Sequence, residues 1–154
     1  MNALVDAART FDGVRFLHRG RDRLGLDCAG LVWAAYAACG VVLPDYRLYG
    51  PEPPRDGLVR HVEAALGAPV RLAPVRLQDL REGDVLVMRF YREPHHMGVV
   101  GARQYGDTRA LTLIHADGDA PARRGEQRVH GRVHEQRLTA DMAARITHVF
   151  RRPV

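Results

Sequence analysis

The stretch Gly25-Leu26-Asp27-Cys28-Ala29-Gly30-Leu31 constrains this chain most, because it sets a cysteine at the point where a helix begins. Asp27 is a residue type that caps helix N-termini, and Cys28 to Cys39 are helix-compatible before Gly40 supplies a stop. Cys28 therefore falls in the first turn, where free backbone N–H groups and the positive end of the helix dipole favour a thiolate. The small residues Ala29 and Gly30 leave room beside it for a substrate. A cysteine in an apolar helix is also an ordinary small core hydrophobe, and this stretch alone leaves that reading open.

At 154 residues and 46% hydrophobic content, the chain predicts one domain spanning 1–154. No apolar run reaches the roughly 18 residues of a membrane-spanning helix, and Met1-Asn2-Ala3-Leu4-Val5-Asp6 has neither the basic nor the apolar region of a signal peptide. Synthesis in the cytoplasm without a signal peptide is the expectation. The net charge is +5, carried entirely by arginine, since the sequence has no lysine. That excess suits an anionic partner, and it equally suits a GC-rich genome; no nucleic-acid-binding signature accompanies it. The sequence also has no serine, which excludes every serine nucleophile. Without Cys-x-x-Cys, His-Glu-x-x-His, a P-loop or Gly-x-Gly-x-x-Gly, no metal and no cofactor is expected. Cys28 and Cys39 on one helix would stand roughly 16 Å apart, beyond disulfide reach, which makes Cys39 a packed core thiol and leaves Cys28 free.

Along the chain, residues 3–9 predict a short helix, and 14–23 a surface loop beside Cys28. Leu31, Val32, Ala35 and Ala38 predict an apolar stripe on the main helix, with Trp33 and Tyr36 off it, lining a groove or filling a second layer. A proline-rich loop, 43–54, carries Tyr46 and Tyr49, which either wall a cleft or simply anchor the loop. Asp56 should cap a helix ending at Gly67, with Leu58, Val59, Val62, Ala65 and Leu66 inward. Strands are expected at 85–90, 97–100, 109–116, 129–135 and 147–151, a loop at 117–127, and a short helix capped by Thr139. Helices followed by a meandering sheet define an α+β class.

Thiol catalysis needs an imidazole to take and return a proton, and a polar group to orient that imidazole. The candidates in chain order are Cys28, His96 and His115. His95 competes with His96, but alternation puts Gly98 on the face of His96, leaving space at that ring, whereas His95 shares its face with Met97 and Val99. His18, His61, His130, His134 and His148 match no motif and are read as surface or packed residues. Asp27 is read as a cap.

Asp27-Cys28-Ala29-Gly30-Leu31, His96-Met97-Gly98-Val99 and Leu113-Ile114-His115-Ala116 together resemble the three motifs of the NlpC-type cysteine peptidases, papain-like cell-wall hydrolases of bacteria and tailed phages. The resemblance spans about residues 13–153. It implies a papain-like α+β fold with Cys28 on a central helix packed on an antiparallel sheet. Cys28 would then be the nucleophile, His96 the general base and acid, and His115 the residue orienting His96. The implied substrate is peptidoglycan, cut at an amide in the stem peptide, typically between D-glutamate and diaminopimelate. Tyr46 and Tyr49 become candidate substrate-binding residues. Where much of the family has a tyrosine that assists the oxyanion site, this sequence has Phe16. The Cys28 backbone N–H would meet the oxyanion, with a second donor unassigned. The Gly-Leu-Asp-Cys-Ala-Gly-Leu-Val context looks most like the phage-tail branch, which implies a virion component at the tail tip with tail-tip proteins as partners. Two other readings share the scaffold: an inactive structural tail module, and a thiol acyltransferase or amidase.

Overall fold

A computed structural model describes residues 2–46, 57–90, 94–118 and 130–154. The chain begins with α1 (Ala3–Arg9), whose N-cap Asn2 accepts hydrogen bonds from the Leu4 and Val5 amides. The region expected as a plain loop, 14–23, ends in β1 (Arg21–Asp22), which pairs with β2 (Gly25–Leu26) as a two-stranded hairpin. Strands this short have no apolar alternation to announce them. They feed directly into α2 (Cys28–Ala38), then α3 (Leu58–Leu66), β3 (Val85–Met88), β4 (His96–Tyr105), β5 (Thr108–Ala116), β6 (Val133–Arg137), α4 (Ala140–Ala143) and β7 (Ile146–Phe150). The main sheet is antiparallel in the order β6-β5-β4-β3-β7, as a meander with β7 returning to the far edge. The α+β architecture is as expected.

Side-chain alternation divides the sheet into two faces. Val85, Val87, Met97, Val99, Ile114, Ala116 and Val133 join one core with α1, α2 and α3. Leu86, Met88, Val100 and Leu113 join a second core with Leu80, Leu138, Ala143, Ile146 and Val149. With both faces covered, the central strands β3 and β4 carry apolar residues at consecutive positions.

Helix α2 departs from the expected stripe. Residues Ala29 to Tyr36 are all buried, on every side of the helix, whereas Ala38 is exposed. A helix gripped on all sides has no one-sided pattern to display. Trp33 and Tyr36 are core residues: the Trp33 indole N–H donates to the Pro44 carbonyl at 2.9 Å, and the Tyr36 hydroxyl to the Arg152 carbonyl at 2.8 Å. Cys39 is the half-buried C-cap of α2 and not a core thiol, because the helix leaves the core after Tyr36. Helix α3 starts from Gly57 in a left-handed conformation, with no side-chain cap; Asp56 and Tyr49 lie outside the described residues. Its inward residues are as expected. Strand β3 ends at Met88, leaving Phe90 exposed. Strand β4 starts at His96 and, with β5, runs farther into the hairpin than hydropathy indicates, its outer residues being polar and exposed. Thr139 caps α4 through the Met142 amide. Among the described residues no helix is long and apolar enough to cross a membrane.

Candidate active site

Asp27 holds the start of α2 from three directions. It caps the helix by accepting from the Gly30 amide at 2.7 Å, accepts from the Arg19 amide at 2.8 Å, and pairs with the Arg21 guanidinium at 3.2 Å. Arg21 in turn forms a two-pronged pair with Asp45, at 2.8 and 3.0 Å, so one side chain ties the helix start to the segment leaving its far end. The chain at Gly20 crosses directly over Gly30: a Cβ on Gly30 would stand 1.9 Å from the Gly20 carbonyl oxygen. The glycine of Asp-Cys-Ala-Gly-Leu is therefore required by this close approach.

The half-buried Cys28 thiol takes backbone hydrogen bonds from Met97, from Ala29 and from its own residue. Met97 directly follows His96, so the sulfur sits at the start of β4. Burial, and then the charge of Asp27, push the thiol up to about 12, and the three backbone hydrogen bonds only partly oppose this. The expectation of a ready thiolate at the helix start is thereby corrected. Free helix-end N–H groups favour the anion, but removal from water and the capping carboxylate outweigh them.

His96 opens β4 and His115 stands near the end of β5, both buried. His96 Nε2 lies 2.8 Å from His115 Nδ1, with the rings edge-on at 84°. This contact leaves Nδ1 of His96 as the nitrogen available to a thiol. Gly98 makes the approach of the two strands possible: a Cβ there would fall 2.6 Å from Leu113 Cδ1, 2.8 Å from the Ile114 carbonyl oxygen and 3.1 Å from His115 Cβ. Burial, followed by the charge of His115, lowers His96 to about 3. Burial thus favours the neutral form of both the thiol and the imidazole.

The network continues past His115. Its Nε2 meets the Gln136 side-chain amide at 2.8 Å, and its Nδ1 faces Asp117 Oδ1 at 3.1 Å. Asp117 Oδ2 lies 2.6 Å from His134 Nε2. His134, read from sequence as a bystander, belongs to this cluster because β6 pairs it directly opposite His115. The His-x-Asp spacing of 115–117, across the end of a strand, was the available signal. His96, His115 and Asp117 bring three ligand-type atoms within 4.8 Å of one another, and hydrogen-bond contacts already join His96 to His115 and His115 to Asp117.

Of the other candidates, Tyr46 is exposed and stacks on His61 with ring centroids 4.2 Å apart. Phe16 is partly buried against the core, its amide donating to the Gly131 carbonyl at 2.8 Å, and it brings no hydroxyl.

A thiol at the start of a helix, beside the backbone of the strand that His96 opens, with an antiparallel sheet packed on that helix, is consistent with a papain-like α+β fold. Residues 13–138 match the NlpC/P60 family, and the chain belongs to that family, whose members are cysteine peptidases. Its sequence is 34% identical over 97 residues to proteins named "Probable endopeptidase Rv2190c" of Mycobacterium tuberculosis and "Probable endopeptidase Mb2213c" of Mycobacterium bovis. The match covers 63% of this chain and 20% of each relative, so the chain spans about a fifth of their length. The fold is similar to an NlpC/P60 family protein from Bacillus cereus, with a TM-score of 0.56 and 20% identity, over 99% of this chain and 40% of that one. It is also similar to the NlpC/p60 domain of the peptidoglycan hydrolase SagA, with a TM-score of 0.52 and 17% identity, over 97% and 96% of the two chains.

Proposed function

We propose that the chain is one NlpC/P60 domain that hydrolyses an amide bond in peptidoglycan stem peptides, with Cys28 as nucleophile, His96 as general base and acid, and His115 orienting His96. The observation that carries this reading is the Cys28 sulfur at the backbone of Met97, beside a His96 whose far nitrogen is already engaged by His115. The thiol proton passes to His96 Nδ1 as the sulfur attacks the scissile carbonyl. The oxyanion meets the Cys28 backbone N–H at the helix start. His96 then protonates the leaving amine, and a water deprotonated by His96 hydrolyses the thioester, releasing the carboxylic acid and restoring the thiol. Because burial favours the neutral forms of thiol and imidazole, this reading has proton transfer accompany attack.

Tyr46 stands as a candidate wall for the substrate. The D-glutamyl-diaminopimelate bond is the finer proposal, supported by the three motifs, and the arginine excess suits the free carboxylates of such a peptide. A place at a phage tail tip rests on the Gly-Leu-Asp-Cys-Ala-Gly-Leu-Val context alone; absence of the protein from purified particles would refute it. An inactive tail module is the second reading, favoured by Phe16 and by the raised thiol.

The deciding experiment is incubation with Gram-negative peptidoglycan, beside a Cys28→Ala control, with released fragments identified by mass. Fragments cut within the stem peptide and absent from the control are expected. No fragments from folded wild-type protein would overturn the peptidase reading.

A further inference from the structure

The three-motif pattern accounts for His115 but not for what stands behind it. Asp117 follows β5 and turns one carboxylate oxygen to His115 Nδ1 at 3.1 Å and the other to His134 Nε2 at 2.6 Å. His134 is fixed by its register opposite His115, and the two rings lie 4.4 Å apart. Two histidines and a carboxylate are thus joined edge to edge behind His96.

We propose that Asp117, held by His134, is a positioning residue of the thiol site, supplying the negative charge against which the His96–His115 pair carries the proton taken from Cys28. This rests on the reading of Cys28, His96 and His115 given above. Only one proton fits between His96 Nε2 and His115 Nδ1 at 2.8 Å. When His96 Nδ1 receives the thiol proton, the pair holds one proton more than two neutral rings, and its positive charge spreads over both. Both rings are buried, and a buried charge without a counter-charge is strongly disfavoured.

The described titratable groups acting on His96, besides His115, are Asp117 after β5, His95 beside His96 in the chain and His134 on β6, while Cys28 on α2 reaches the backbone of Met97, the next residue. Asp27, at the helix start, is matched by Arg21. Once the sulfur has bonded to a carbonyl carbon, its charge has passed to the substrate, and Asp117 is the anion facing the imidazolium until the amine leaves. Burial alone would raise the Asp117 carboxyl, but hydrogen bonds and charge from His115, and then from His134, hold it well below the usual carboxylate range. Its charge also favours protonated His96. Gln136 can present either its amide oxygen or its NH2 to His115, so the relay accommodates both tautomers.

The test uses the full chain and needs no substrate: histidine Cε1–H signals are titrated by NMR in wild type, Asp117→Asn, Asp117→Glu and His134→Gln. With Asn, first proton uptake by the His96–His115 pair should move to lower pH by about one unit or more; Glu, and Gln at 134, should stay near wild type. In hydrolysis, Asp117→Asn should lower kcat roughly 10- to 100-fold, less than the 10²–10⁴ of a general base itself, with KM little changed. The acid limb of its pH–rate profile should move to lower pH. An unmoved titration, or lost activity with an unmoved acid limb, would overturn the proposal in favour of a merely structural contact. If Asp117→Asn does not fold, His134→Phe carries the test: a smaller shift of the same sign supports the proposal, and no shift overturns it. If wild type cuts no peptidoglycan, the peptidase reading fails while the titration still decides the role of Asp117.

Discussion

Acid should loosen this fold through one imidazole in a pH window of its own. His96 is 9% exposed, and burial lowers it from 6.5 to about 3. A depressed folded-state pKa gives stability that is present above the unfolded value, 6.5, and is lost as pH falls toward the folded one. At pH 4.5 an unfolded chain protonates this ring almost fully and the folded chain hardly at all, so the loss from pH 7.5 is roughly 3 kcal/mol at about 1.4 kcal/mol per unit. For a chain of this size that lowers Tm by roughly 6 to 12 °C. The carboxylates with lowered values, Asp117 and Glu135, lose their stabilising share as pH falls through their ordinary values, 3.8 and 4.5, so nearly all of it lies below this window. The assay is thermal and urea unfolding of wild type and His96→Gln at half-unit steps from pH 7.5 to 4.5. Glutamine can still bond His115, and its chain should lack this share of the pH slope. Equal slopes in the two proteins across that window would refute the neutral, buried His96 on which the proposed chemistry depends.

Asp27→Asn should keep the helix cap while removing the charge that helps raise Cys28, so alkylation of Cys28 should begin at lower pH than in wild type, read by mass spectrometry of the labelled peptide. Gly98→Ala forces a Cβ into Leu113, the Ile114 carbonyl and His115, so it should destabilise the fold by about 1–3 kcal/mol in urea unfolding and lower peptidoglycan hydrolysis by displacing His115. Glu135→Ala removes the shared partner of Arg9, Arg103 and Thr112 and should destabilise by about 1–3 kcal/mol, measured by the urea midpoint, since the partly exposed arginines can turn to water.

The α+β order was legible because α1, the start of α2 and the end of α3 carry local signals: Ala and Leu runs, an Asp cap, Gly stops. Cys28, His96 and His115 were legible because each lies in a short motif with a local physical reason, such as Gly30 beneath Gly20 and Gly98 beside Leu113. What stayed hidden depends on distant parts of the chain meeting. The all-round burial of α2 is set by α1, the hairpin and the sheet packed around it, and His134 enters the cluster through the register of β6 on β5. What opposes a thiolate at Cys28 was not legible, because helix position is written in sequence, whereas burial is not.

The raised Cys28 bears on how long this thiol survives in storage. Peroxides attack thiolates, so a sulfur kept protonated until a carbonyl approaches should resist conversion to sulfenic acid in air. The same burial that slows the idle thiol thus acts as a preservative, and the protein should remain reactive after storage conditions that exhaust an exposed, low-pKa cysteine.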